Sequence, residues 1–303
     1  MRLAVMGQAA FGEAVFKRLL EDGHEIAVVS APSVDARPDP LWAAADAAGI
    51  PRVETRALKT DAGIERWRAV AADLCVMAFV TEIVPAEALS APKLGTIQYH
   101  PSLLPLHRGA SAMNWAIING DAETGLSIFW PDRGIDTGPI LLQKRVDIAP
   151  EDTLGTLYFG KLFPMGVDAI AESVGLVAKG KAPRTEQRQE LGTYEPICGD
   201  EHANIAWYAP AERVSSLIRG CNPAPGAWTI FEGQRLRIFD CQLLGKQVEG
   251  LPGAVLNVGE DGFDVRLNGD VLHVGRVQPE GQKKLPAAEW AADAGLKPGF
   301  RFK

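Results

Sequence analysis

Gln98 and His100 stand two residues apart at the close of an apolar run, Gly95-Thr96-Ile97-Gln98-Tyr99, whose length and residue types predict a buried strand. Alternate residues of a strand face the same side, so the Gln98 amide and the His100 imidazole are presented together. An amide donor beside an imidazole suits a developing oxyanion, and the ring can also move a proton. The exit Pro101-Ser102-Leu103-Leu104-Pro105-Leu106-His107-Arg108-Gly109 is held extended by its prolines. Strand ends of this kind are where open α/β sheets carry their ligands. His107, next to Arg108, reads as solvated. A second cluster, Asp132-Arg133-Gly134-Ile135-Asp136-Thr137-Gly138-Pro139, follows the apolar Phe129-Trp130. A carboxylate set beside His100 would orient the ring and favour its charged form. Asp132 and Asp136 both qualify, and their spacing does not choose between them. Ser102 has no G-x-S-x-G elbow around it, so serine hydrolase chemistry is not indicated. Cys75, Cys198, Cys221 and Cys241 are scattered without a C-x-x-C pair, which points to neither a disulfide framework nor a metal site.

These groups need a scaffold, and the first half of the chain supplies alternating strands and helices. Strands are predicted over 3–6, 26–29, 74–80, 95–99, 126–130 and 140–146, with helices over 9–20, 41–48, 61–72 and 110–119. A long helix over 152–179 is expected, capped by Asp152 or Thr153 and kinked at Pro164. The alternation predicts a Rossmann-like, mostly parallel sheet covered on both faces. Residues 179–193 read as a surface connector carrying Gln187 and Gln189. A helix over 211–219 follows, and then short strands separated by glycine turns predict a small OB-like β-barrel. The boundary falls near residue 200, dividing the chain into 1–200 and 201–303. The first turn, Gly7-Gln8-Ala9-Ala10-Phe11-Gly12, departs from G-x-G-x-x-G at Ala9. The second strand also lacks an acidic residue at its end, so NAD is not expected.

Bulk properties narrow the function classes. In 303 residues the net charge is −7, with 47% hydrophobic and 23% charged residues, an ordinary globular balance that argues against a broad nucleic-acid footprint. No apolar run approaches the roughly 20 residues of a membrane span, and the N-terminus lacks a signal-peptide layout, so a cytoplasmic setting is expected.

The motifs taken together resemble a known family. His100-Pro101-Ser102-Leu103-Leu104-Pro105 with Arg108-Gly109, followed by Asp132-x-Gly134-x-Asp136-Thr137-Gly138, is similar to the formyltransferases that use 10-formyltetrahydrofolate. Further stretches, among them Met6-Gly7-Gln8, Ser127-Ile128-Phe129-Trp130 and Leu162-Phe163-Pro164-x-Gly166, look most like the N-terminal hydrolase domain of 10-formyltetrahydrofolate dehydrogenase. The C-terminal part resembles that domain and methionyl-tRNA formyltransferase alike. No aldehyde dehydrogenase domain is expected within this length. The resemblance implies His100 and Asp136 as catalytic residues, with Gln98 beside them. It also implies a folate-binding loop at Phe79-Val80-Thr81-Glu82-Ile83-Val84, with Asp132 nearby, and 10-formyltetrahydrofolate as co-substrate. One position departs from the pattern: Gln98 stands where formyltransferases carry Asn and where the hydrolase domain carries an apolar residue. The acceptor implied is water or a small amine. Initiator tRNA is disfavoured, because the loop 31–40 is short and carries no net positive charge. A folate-binding module without catalysis is the reading of another class.

Overall fold

The computed structural model describes residues 1–32 and 38–303. In chain order the first elements are β1 (Arg2–Gly7), α1 (Ala9–Glu21), β2 (Glu25–Ala31), α2 (Pro40–Ala47), β3 (Arg52–Glu54), α3 (Asp61–Ala69), β4 (Leu74–Ala78), α4 (Ala86–Leu89) and β5 (Thr96–His100). They are followed by α5 (Ala112–Asn119), β6 (Glu123–Phe129), β7 (Ile140–Asp147), α6 (Leu154–Leu157), α7 (Phe163–Ala178) and α8 (Ala211–Gly220). The last are β8 (Trp228–Phe231), β9 (Gln234–Leu243), β10 (Val255–Val258), β11 (Phe263–Arg266), β12 (Val271–Pro279), β13 (Leu285–Pro286) and α9 (Ala287–Asp293).

By compactness the chain forms two units that interleave in sequence. One comprises Met1–Ala110, Gly125–Val146 and Lys161–Glu195, and the other Ser111–Thr124, Asp147–Gly160 and Pro196–Lys303. The first is built on a seven-stranded sheet of order β3-β2-β1-β4-β5-β6-β7. Strands β1 to β5 pair in parallel, and β6 runs antiparallel against β5. This is the mostly parallel, Rossmann-like sheet expected.

Strand alternation sorts its residues onto two apolar faces. Leu3, Val5, Val29, Val76 and Ile97 pack with Phe11, Val15 and Leu19 of α1 and with Ile170 and Val174 of α7. Ala4, Met6, Val28, Cys75 and Met77 face the other way, against Leu58, Trp67 of α3 and Ala88 of α4. Each Val, Leu, Ile, Phe or Met so buried contributes about 1.5–3 kcal/mol, so both layers help to hold the sheet. The order reverses between β1 and β4, which makes the space beyond their carboxyl ends the place for a ligand. Gly7 ends β1 there, and a Cβ on it would stand 2.4 Å from the Ala78 carbonyl oxygen. Close strand packing requires a glycine at that point.

The second unit carries the antiparallel sheet β10-β11-β12-β9-β8, with β13 added to β12. Its core includes Trp207, Ile218, Ile238, Val265, Val274 and Phe302, with the Trp207 and Phe302 rings stacked 5.4 Å apart. The helix expected over 152–179 is present, with every residue from Leu154 to Ala178 helical and a π-helical turn inserted in its course. Thr153 caps α6 by accepting the Thr156 N–H, then a π-helical turn spans Tyr158–Leu162 before α7 begins with Pro164 in its first turn. A proline lacks the N–H that an interior helical position would donate, and Pro164, where a kink was expected, directly follows the π-helical turn, itself a usual place for a helix to bend. Among the described residues no helix is long and apolar enough to cross a membrane.

Candidate active site

His100 is the last residue of β5 and is 5% exposed. Its ring is fixed from both sides. Nε2 lies 2.8 Å from the backbone carbonyl oxygen of His107. A carbonyl only accepts, so Nε2 carries a proton and donates it there. Nδ1 faces Asp136 Oδ2 at 3.5 Å, and that same oxygen accepts the Gly109 N–H at 2.9 Å. Nδ1 is therefore the ring nitrogen left to exchange a proton with this carboxylate or with a ligand.

Asp136 is the partner that spacing alone left unchosen. Asp132 instead folds its own loop, with Oδ1 accepting from the Gly134 N–H at 2.9 Å and from the Thr137 hydroxyl at 2.6 Å. Gln98 is half-buried on the face it shares with His100, and its side chain makes no hydrogen bond to the described residues. Its amide is thus available to a ligand.

Backbone strain marks the same place. His107 and Asp136 have φ of 52° and 55°, and Phe79, the first residue after β4, has φ of 60°. A non-glycine residue held there costs about 1–3 kcal/mol and persists only where its surroundings fix it. For His107 they do. Its N–H donates to Thr193 Oγ1 at 2.8 Å and its Nδ1 pairs with Glu195 Oε1 at 3.1 Å. His107 is 8% exposed, so the expectation of a solvated ring is wrong. The sequence could not show the carboxylate that meets it, because Glu195 lies far along the chain.

Asp136 is fixed by Gln187, which is 7% exposed. Gln187 Nε2 donates to the carbonyl oxygens of Asp136 at 2.9 Å and Gly138 at 2.7 Å, and its Oε1 accepts from Arg108 Nη2 at 2.9 Å. Hydrogen bonds contribute roughly 0.5–1.5 kcal/mol each, so two to one loop match the strain they hold in place. The stretch expected as a surface connector therefore touches both loops of the site. Gln187 and Gln189 at strand-like spacing, in a segment without helical periodicity, were the available signal.

The loop Phe79–Val84 leaves the sheet beside this pair, since Met77 of β4 is in register with Gln98 of β5. Phe79 and Val80 are half-buried and Val84 is buried, while Ile83 is 80% exposed. Thr81 Oγ1 donates to Gln8 Oε1 at 3.3 Å, and Glu82 pairs with Lys59 at 3.4 Å. An exposed isoleucine beside half-buried apolar side chains and loop backbone amides suits a flat heterocycle with polar edges. The loop 31–40, which bears on the acceptor, lies in part (33–37) outside the described residues.

The arrangement can therefore polarise a carbonyl and move one proton beside a strand end at the sheet's ligand position. Comparison with known proteins gives this chemistry a family. The family described as Formyl transferase matches residues 1–161, and its C-terminal domain matches residues 199–295. The chain belongs to the formyl transferase family. The mouse mitochondrial 10-formyltetrahydrofolate dehydrogenase is 40% identical over 306 residues, which cover 96% of this chain and 33% of that protein. The chain thus spans about a third of the length of such relatives. Methionyl-tRNA formyltransferase of Geobacter sulfurreducens is 33% identical over 309 residues, covering 100% of this chain and 96% of that one. HypX from Aquifex aeolicus, solved in complex with tetrahydrofolic acid, shares the fold, with a TM-score of 0.72 at 18% identity over 98% of this chain and 48% of that one. Residues 162–198, Gln187 included, lie between the two family matches.

Proposed function

We propose that this formyl transferase removes the formyl group of 10-formyltetrahydrofolate and passes it to water, releasing formate and tetrahydrofolate. The observation that carries the proposal is the His100–Asp136 pair, 3.5 Å apart, with a free Gln98 amide on the same strand face. The folate lies along Phe79–Val84 with Asp132 near its far side, and the formyl carbonyl points at His100. Water attacks the formyl carbon. His100 Nδ1–H and the Gln98 amide donate to the oxyanion that forms, and Asp136 takes the proton of the attacking water. Collapse of the tetrahedral adduct breaks the bond to the folate nitrogen, which leaves with a proton returned by the pair. Acid–base help of this kind typically supplies about 10²–10⁴ in rate, and oxyanion donors about 10²–10³ more. The chemistry is assigned within residues 1–200, and the residues named for it all belong to the first compact unit. The free thiols of the described chain suit a reducing, cytoplasmic setting.

Water is preferred as acceptor because the dehydrogenase relatives are the more similar in sequence. Methionyl-tRNA is the second reading, favoured by the nearly full-length correspondence with the Geobacter enzyme. Incubation with 10-formyltetrahydrofolate alone, and then with methionyl-tRNA or amines, distinguishes them. Formate without added acceptor supports the hydrolase. Consumption only with tRNA or an amine supports a transferase, and binding without either product supports a module that keeps the pocket but not the chemistry.

A further inference from the structure

The stretch after α7 runs along both loops of the site. Trp130 Nε1 donates to the Pro183 carbonyl at 2.9 Å, and the Arg184 guanidinium stacks 3.8 Å over the Trp130 ring. Thr185 exchanges backbone hydrogen bonds of 2.9 and 2.8 Å with Ile140, in the manner of an added edge strand. Gln187 and Gln189, two residues apart, then both accept from Arg108 Nη2, at 2.9 and 2.6 Å. Their amide nitrogens donate to the loop that carries Asp136: Gln187 to the carbonyls of Asp136 and Gly138, and Gln189 to that of Thr137 at 3.0 Å. Farther on, the Thr193 carbonyl accepts the Arg108 N–H at 3.0 Å, and Glu195 meets the His107 ring. One segment thus fixes the carbonyl that orients His100, the amide that holds the Asp136 carboxylate, and the strained backbone of Asp136 itself.

We propose that Gln187 is a positioning residue for formyl removal, a buried clamp that joins the Arg108–Gly109 loop to the Asp136–Gly138 loop and sets the distance between His100 and Asp136. This rests on the formyl-removal reading above. Gln187 reaches no reacting atom. It acts by holding Asp136 at a positive φ, where its carboxylate meets both the Gly109 N–H and Nδ1. Without the two donated hydrogen bonds the Asp136 backbone relaxes toward an ordinary conformation, and the carboxylate leaves the ring. Misplacement of catalytic groups by about 1 Å can cost 10²-fold in rate. Gln189 bonds the same loop from an exposed position, where water can replace its contact.

The test measures kcat and KM for 10-formyltetrahydrofolate in Gln187→Ala, Gln189→Ala, Asp136→Asn and the Gln187→Ala/Asp136→Asn double variant. Gln187→Ala is expected to lose roughly 10–10²-fold in kcat with KM within about twofold, and Gln189→Ala to stay within about threefold. Because Gln187 works through Asp136, its substitution in the Asp136→Asn background should cost nothing further. Should Gln187→Ala fail to fold, Gln187→Glu keeps the bulk and the Arg108 partner but sets a carboxylate oxygen against the two carbonyls in place of the donated N–H groups, and carries the same expectations. An unchanged kcat, or a loss that multiplies onto that of Asp136→Asn, would overturn the proposal. A wild-type protein that yields no formate or formylated product would instead defeat the functional reading. In that event the clamp is read from the His100 imidazole ¹⁵N resonances, which should shift in Gln187→Ala and hold in Gln189→Ala. Resonances unmoved in both would sink the clamp on its own.

Discussion

At the scale of single residues, the account depends on what each nitrogen of one imidazole can do. His100 Nε2 is committed to the His107 carbonyl, which leaves Nδ1 between Asp136 and the ligand space. His100→Ala or Asp136→Asn is expected to lower kcat about 10²–10⁴-fold with little change in tetrahydrofolate affinity, checked by steady-state kinetics alongside calorimetry. Gln98→Leu, which keeps the bulk and removes the donor, should lower kcat by roughly 10²-fold with KM little changed. Gly109 is constrained as tightly. Its φ is +100°, and a Cβ there would meet the Glu195 carbonyl oxygen at 2.9 Å and the Tyr194 ring at 3.1 Å. Gly109→Ala should therefore displace the N–H that holds Asp136, and reduce turnover and thermal midpoint together. The loop 132–139 alone left Asp132 and Asp136 open, whereas the placing of Gln98 and His100 on one face at a strand end was legible because a strand end advertises itself locally. His107 was not, because its burial depends on Glu195, which no local pattern connects to it.

At the scale of elements, periodicity carried the reading where strands are long and faces are apolar. It failed for β3 and β13, which span 3 and 2 residues and are too short to show alternation. It also did not register the π-helical turn within the long helix, because the apolar pattern runs on through it. The connector expected over 179–193 is largely exposed, as read, but its part in the site was not visible. Its contribution is made by polar side chains reaching backbone carbonyls, and hydropathy does not register such bonds. In the second unit, Asp200 receives Arg237 Nη2 at 3.0 Å and also bonds Arg235, which ties a short 3₁₀ turn to β9. Burial alone would raise the Asp200 carboxyl. The Arg237 hydrogen bond and the charges of Arg237 and Arg235 outweigh it and hold the group below the usual carboxylate range. A depressed folded value contributes stability above the unfolded value of about 3.9 and loses it as pH falls through the folded one. Thermal unfolding of Asp200→Asn should accordingly fall below wild type at neutral pH, with the gap closing on acidification below about pH 4.

For the whole molecule, the two units are separate in packing but not in sequence. Ile118 of α5 lies in the same core as Ile218, Ala203 and Cys221, and Asn114 donates to the Gly220 carbonyl at 2.9 Å. A fragment ending at residue 200 would leave α5 without α8. It should show exposed apolar surface by dye binding and a lower thermal midpoint than the full chain. Composition and alternation made the two-part architecture legible, and two ordered motifs made the family legible, whereas the return of residues 111–124 and 147–160 to the second unit depends on packing that only the folded chain displays. The most direct measurement follows formate and tetrahydrofolate after 10-formyltetrahydrofolate is mixed with wild type, His100→Ala and Asp136→Asn, with tetrahydrofolate binding measured in parallel. The account predicts sustained formate release by wild type and a loss of at least about 10²-fold in both variants with binding retained. Equal turnover by all three proteins would contradict it.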